Sequence, residues 1–361
     1  MFDLLKKILI FTLFIGITLA GISYTQFEIY INKPHGPKKT LHFKIAKGQT
    51  LKPVLAQIEK LGAIEHPEVL YLYARTQKMG ALQHGDYEFK SPQTPLEILK
   101  LLERGAIKLE QFTIPEGLNR WQIRDILVGE GWLKAKTFKE LCDNKGFLKQ
   151  AGIPGPNCEG YLFPETYTFA RGVSAKKIFN TMFALYKKTY AETQKGHNPP
   201  MSFNQLQLTT LASIVEKETG ASGERKRIAC VFYNRMQAKP TWRLETDPTV
   251  IYAATLAEPG FDGNLKRRHL RELKHPYNTY LNKGLPPGPI ASPGKKALEA
   301  VFEPEVCPYY FFVSKNNGAH QFCETLDCHN ANVKKWQIDY FQKPAKKLKP
   351  KKLRKKNILP K

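Results

Sequence analysis

A carboxylate on the apolar face of a predicted helix is the first feature of this sequence that could do chemistry. In Leu206 to Thr219 (LQLTTLASIVEKET), steps of about 100° per residue put Leu211, Ile214, Val215 and Glu218 in one narrow arc and send Glu216 well away from it. A carboxyl group among apolar neighbours loses hydration, which favours its protonated form and raises its pKa. That is what a general acid near neutral pH requires. Glu216, on another face, is expected to be solvated or salt-bridged. Geometry alone does not single out catalysis, because a glutamate ending an amphipathic helix more often sits at the rim of a core, bonded to an arginine or a backbone N–H.

Other segments combine rings with amides and hydroxyls, as sugar sites do: rings stack on pyranose faces, and polar groups bond to sugar hydroxyls and acetamido groups. They are Glu159 to Tyr167 (EGYLFPETY), Thr246 to Tyr252 (TDPTVIY), Tyr277 to Tyr280 (YNTY), the rigid turn Gly284 to Ile290 (GLPPGPI), His320 to Phe322 and His329-Asn330. Taken singly, each also reads as turn chemistry or core aromatics. HExxH, GxxxxGK[ST] and GxSxG are absent, so no metalloprotease, phosphate-loop or serine-hydrolase signature is present, and neither cofactor nor metal is expected. The six cysteines can pair in an oxidising compartment, with connectivity left open. A zinc site from His320, Cys323, Cys328 and His329 fits no standard ligand spacing.

The elements that must position these residues fall into blocks. Ile8 to Ile22 is an uncharged apolar run of about 15 residues preceded by Lys6 and Lys7, between a signal-peptide core and a full membrane span. Leu19-Ala20-Gly21 is a poor cleavage site, so an uncleaved anchor over 8–24 is expected, with residues 1–7 cytoplasmic. Leu41 to Ala46 reads as a strand, Leu51 to Leu61 as a helix closed by Gly62, and Gly85 to Phe89 as a second strand. Thr94, Pro95 and Glu97 form a capping box for a helix ending at Gly105, and Ile107 to Ile114 returns as a strand. From Pro115 onward, helical patterns in Arg120 to Glu130, Thr137 to Leu141, Ala175 to Tyr190 and Asn204 to Thr219 alternate with loops rich in Pro, Gly, Asn and Tyr. Tyr309 to Val313 is strand-like.

The 361 residues carry a net charge of +24. About ten of the basic residues and no acid lie in Lys343 to Lys361, a segment read as a disordered tail that either merely aids solubility or is drawn to anionic lipid or wall polymer. No base-reading or stacking module is present, so nucleic acid is not an expected partner.

In order, EGYLFPETY, ASIVEKET, Glu224-Arg225, Val231 to Arg235, LETDPTVIYA, HPYNTY, GLPPGPIASPG, YYFFV and HQF…HN resemble the signature blocks of the YceG-like family of endolytic murein transglycosylases. Ile45 to Leu51 (IAKGQTL) resembles the opening of a LysM-like fold, and Ile114 to Ile123 the start of that family's catalytic domain. The resemblance implies an α+β chain: an N-terminal membrane helix, a small LysM-like module over 40–110, a larger mixed α/β catalytic domain over 111–342 and a tail over 343–361. It implies an inner-membrane, single-pass enzyme with its catalytic domain in the periplasm. Such an enzyme cuts the β-1,4 bond between N-acetylmuramic acid and N-acetylglucosamine in peptidoglycan glycan strands and leaves 1,6-anhydromuramoyl ends. The family's catalytic glutamate falls on Glu218. Glu165, Asp247, Asn278, Tyr280 and His320 are candidates for substrate contacts, and peptidoglycan synthases are candidate partners. The alternative is a non-catalytic wall-binding scaffold, which would gain nothing from a desolvated carboxylate at Glu218.

Overall fold

The computed structural model describes residues 2–79, 82–105 and 109–342. The basic segment 343–361 and the first residues of the strand expected from Ile107 lie outside them. The chain divides into a smaller unit, residues up to 112 together with 166–174, and a larger unit, 113–165 together with the residues from 175 onward.

In the smaller unit the apolar run belongs to helix α1, Phe2–Asn32, and Lys6–Asn32 is long and apolar enough to cross a membrane. Large side chains from Ile8 to Ile22 are exposed, whereas Ile31 is buried in the unit's core. The helix runs on past the expected 8–24 stretch because Phe27 and Ile31, one turn apart, find partners: Phe27 lies 5.5 Å from the Tyr73 ring. Strand β1 (Thr40–Ile45) alternates exposed and buried side chains and pairs antiparallel with β2 (Gly85–Lys90), Thr40 opposite Lys90. Between them come α2 (Leu51–Lys60) and α3 (Pro67–Thr76). Helix α3 escapes the sequence pattern because its buried stripe is narrow, Leu70 and Ala74 beyond the leading proline. Helix α4 (Pro95–Arg104) has the expected Thr94–Glu97 capping box and left-handed Gly105. Strands β3 (Leu109–Thr113) and β4 (Thr166–Ala170) form a second two-stranded sheet.

Helices dominate the larger unit. In order they are α5 (Arg120–Gly129), α6 (Ala135–Cys142), α7 (Lys145–Ala151), α8 (Ala175–Gln194), α9 (Gln205–Glu218), α10 (Arg225–Gln237), α11 (Asp247–Ala257), α12 (Arg267–Glu272) and α13 (Lys295–Phe302). A hairpin of β5 (Phe311–Ser314) and β6 (His320–Cys323) follows, then α14 (Leu326–Val333). Among the described residues this hairpin is the larger unit's own sheet. Disulfides join Cys142 to Cys158, Cys230 to Cys307 and Cys323 to Cys328.

Helix α9 packs against α10, α11 and α13, and every residue from Leu208 to Glu216 is buried. The expected amphipathic helix is therefore enclosed all round. Its polar side chains are satisfied locally: the Thr209 and Thr210 hydroxyls donate to the carbonyls of Gln205 and Leu206, both at 2.7 Å.

Candidate active site

An Asn204–Gln207 capping box starts α9, and extended backbone at Thr219 (φ −143°) ends it. Glu218 is the last helical residue, at the carbonyl end, where the helix dipole disfavours an added negative charge. The Thr246 hydroxyl donates to Glu218 Oε1. Desolvation pushes the Glu218 carboxyl from the ordinary 4.5 up to about 7, and the negative charge of Asp247 acts in the same direction. The Thr246 hydrogen bond and the Arg235 charge oppose the rise. Arg235 is engaged elsewhere, donating to Tyr310 O at 2.7 Å and Leu244 O at 2.6 Å. Among the described residues no cation lies within salt-bridge distance of Glu218.

Thr246 is fixed by two further threonines. Its amide donates to Thr279 Oγ1 at 3.1 Å, its carbonyl accepts from Thr249 Oγ1 at 2.8 Å, and the Thr249 and Thr279 hydroxyls meet at 2.8 Å. Glu245, just before it, holds φ at +49°, the left-handed region that costs a side-chain-bearing residue about 1–3 kcal/mol and tends to persist at functional sites. Asp247 opens α11 and is exposed; its Oδ1 accepts from the Tyr280 hydroxyl at 2.7 Å. Burial and the Asp247 charge push the Tyr280 phenol upward, so it remains a donor at neutral pH.

Glu216 occupies a different environment. It is 8% exposed, takes Arg225 Nη2 on Oε1 at 2.7 Å, and takes the Gly294 amide on Oε2 at 3.0 Å. Of the two expected states, solvated or salt-bridged, the structure has the second, and it is buried. The same helix gathers the other motifs. Ile290 N donates to Ser213 Oγ at 3.0 Å, Lys217 Nζ donates to Gly117 O at 3.1 Å, and Gly160, at φ +83°, lies so close to Pro289 that a Cβ would collide with it.

Of the sequence-predicted residues, Glu218, Asp247 and Tyr280 thus come together. Asn278 is 0% exposed, and its amide donates to the carbonyls of His269, Leu270 and Leu273 at 3.0, 3.2 and 2.9 Å. It fastens the loop and, through Oδ1, accepts from the Tyr280 amide at 3.0 Å, so it orients Tyr280 and does not face a sugar. His320 is paired with Glu224, Nδ1 to Oε2 at 2.8 Å, in a cluster beside the β5–β6 hairpin. Glu165 is exposed, its carbonyl accepting from Ile114 N at 2.9 Å.

Two residues were missed as site candidates. Thr246 was visible only as part of its motif. Glu159, 2% exposed, accepts from Arg120 N at 3.1 Å on both oxygens and from Tyr252 OH at 3.0 Å, and burial pushes its carboxyl up to about 7. The available signal was a charge set between Cys158 and the apolar run Gly-Tyr-Leu-Phe.

The solved structure of a yceG-like protein from Listeria monocytogenes is similar with a TM-score of 0.52 at 30% identity, covering 82% of this chain and 99% of that one. An endolytic murein transglycosylase of Bacillus subtilis is 31% identical over 83% of this chain and 85% of its own length. Another, from Streptococcus pneumoniae, is 28% identical over 82% of this chain and 58% of its own length. Residues 43–335 match the family model described as YceG-like, and by that match, which takes in both units, the chain belongs to the YceG-like family.

Proposed function

We propose that this protein is an endolytic peptidoglycan lytic transglycosylase that cuts the β-1,4 bond between N-acetylmuramic acid and N-acetylglucosamine in nascent strands and so terminates their elongation. The observation that carries this reading is the Glu218 carboxyl, raised to about 7 and held by Thr246, with Asp247 and Tyr280 beside it. The similarity to proteins named endolytic murein transglycosylases supports it.

With Oε1 occupied by the Thr246 hydroxyl, Oε2 of protonated Glu218 carries the acidic proton. It protonates the glycosidic oxygen as the bond to muramoyl C1 breaks and C1 becomes oxocarbenium-like. The resulting carboxylate then removes the proton from the C6 hydroxyl as O6 closes on C1. One C–O bond breaks, another forms, and Glu218 ends protonated as it began. Hydrolytic glycosidases use two carboxyl groups to manage leaving group and water. One suffices here because the nucleophile belongs to the substrate, so ring closure gains from proximity. Asp247 and Tyr280 contact the sugar; Glu165 and His320 are assigned to more distant parts of the strand.

In this reading α1 spans the inner membrane once, with the catalytic domain expected over 111–342 in the periplasm. Three disulfides among the described residues fit an oxidising compartment. The β1–α2–α3–β2 order, with β1 and β2 paired, supports taking 40–110 as a LysM-like, glycan-holding module.

Mass spectrometry of peptidoglycan digested with the detergent-solubilised chain tests the proposal. The expected products carry 1,6-anhydro ends and vanish with Glu218→Gln. Reducing ends would make the enzyme a hydrolase, and intact strands would favour the scaffold.

A further inference from the structure

Away from Glu218, the larger unit has a cavity of about 500 Å³ between α5 and α6, within the size range of small-ligand sites. Arg120, Trp121, Arg124, Lys136, Lys139 and Asp143 line it; Arg124 also pairs with Asp125, Nη2 to Oδ1 at 2.7 Å, and Lys136 lies 4.0 Å from Glu140 Oε1. Asp143 is already bound to Arg120 Nη1 at 2.8 Å. The Arg120 guanidinium also lies over the Trp121 ring, 4.7 Å from its centroid, so one fork of donors is held in a fixed orientation. Lys139 is exposed and, among the described residues, has no carboxylate within 4.0 Å. A rigid guanidinium with further cations converging on an aromatic-walled cleft is a receptor for an anion with some apolar body.

This cavity connects to the catalytic carboxylate through packed groups. The backbone amide of Arg120 is bound by Glu159. Glu159 also holds the Tyr252 hydroxyl, and Trp121 lies 5.4 Å from the Tyr252 ring. Tyr252 sits in α11, the helix whose start carries Thr246 and Asp247 beside Glu218.

We infer that this cavity is a second substrate subsite, which binds the carboxylates of the peptide stem that projects from a muramoyl residue while the glycan lies at Glu218. This rests on the peptidoglycan reading above. The shared chemistry is a multiply charged anion, and pyrophosphate on a lipid-linked strand is the other source.

Isothermal titration of the full chain in detergent micelles with a synthetic stem tetrapeptide bearing free carboxylates reads the site without any glycan cutting. Saturable binding is expected. It should weaken by about tenfold or more when the carboxylates are amidated, and likewise in the Arg124→Glu/Lys139→Glu variant. In cleavage assays that variant should raise KM for stem-bearing strands about tenfold, while leaving kcat and the cutting of stem-free strands unchanged. Peptide binding indifferent to amidation and to charge reversal would overturn the inference. So would inorganic pyrophosphate binding where the peptide does not. If strands are not cut at all, the proposed activity fails, and the titration still decides the subsite.

Discussion

In the last turn of α9, Glu216 gives one oxygen to Arg225 and the other to the Gly294 amide, while Glu218, two residues on, meets a threonine hydroxyl and the nearby negative charge of Asp247. Both carboxyls leave the same buried helix. A fixed cation makes the first a structural clamp. Without one, the second keeps its proton to near neutral pH, and that proton is available for transfer. Burial alone therefore does not make a candidate acid; burial without a salt-bridge partner does.

The largest effect expected from this contrast is on rate. Glu218→Gln should lower strand cleavage by about 10³-fold or more, the upper part of the range for a lost general acid, with circular dichroism unchanged. Glu216→Gln should act in the opposite sense, on stability. It leaves the buried Arg225 charge only Glu116, 3.9 Å away, and should cost about 2–4 kcal/mol in denaturant unfolding. If Glu216→Gln abolished cleavage in a fully stable protein, the division of labour would be broken.

Stability should also depend on pH through Glu218. Its folded pKa, about 7, lies above the ordinary carboxyl value, so the folded state holds this proton more tightly than the unfolded chain. The protein then loses stability as pH rises from about 4.5 to about 7, and the loss levels off above that. Glu218→Gln removes the cost, so it should be more stable than the parent by about 1–3 kcal/mol at pH 8 and no more stable at pH 4. Thermal unfolding at the two pH values checks this.

Smaller effects sharpen the picture of the Glu218 side. Thr246→Val should lower kcat about tenfold by removing one hydrogen bond to the carboxyl, and Thr246→Ser should restore it. Activity needs protonated Glu218, so kcat/KM should fall as pH rises through about 7. Asp247→Asn removes a charge that raises Glu218, and should move that alkaline limb toward acid by less than about one pH unit.

The Glu218 helix, the capping box at Thr94 and the strands β1 and β2 were legible in sequence because local chemistry dictates them, though not that the two strands pair. Periodicity also separated Glu216 from Glu218, although for an incomplete reason. It predicted one apolar face, whereas α9 is buried all round, and it is the partners, Arg225 and Thr246, that distinguish the two carboxyls. Those partners come from α10 and from the loop before α11, and no local pattern reveals which side chain a distant segment delivers. Asn278 shows the same limit: an amide in a tyrosine-rich loop looks like a sugar ligand until three backbone carbonyls claim it. Glu159 was hidden because its partners, Arg120 N and Tyr252 OH, are far away in sequence.

The central claim, that Glu218 is a proton-holding acid at neutral pH, is tested most directly by titrating its carboxyl. Carbon-13 NMR of protein labelled at glutamate side chains, with Glu218→Gln to assign the resonance, would follow it. A midpoint near 7 is predicted; a midpoint near the ordinary 4.5 in an enzyme that still cuts glycan at neutral pH would contradict the account.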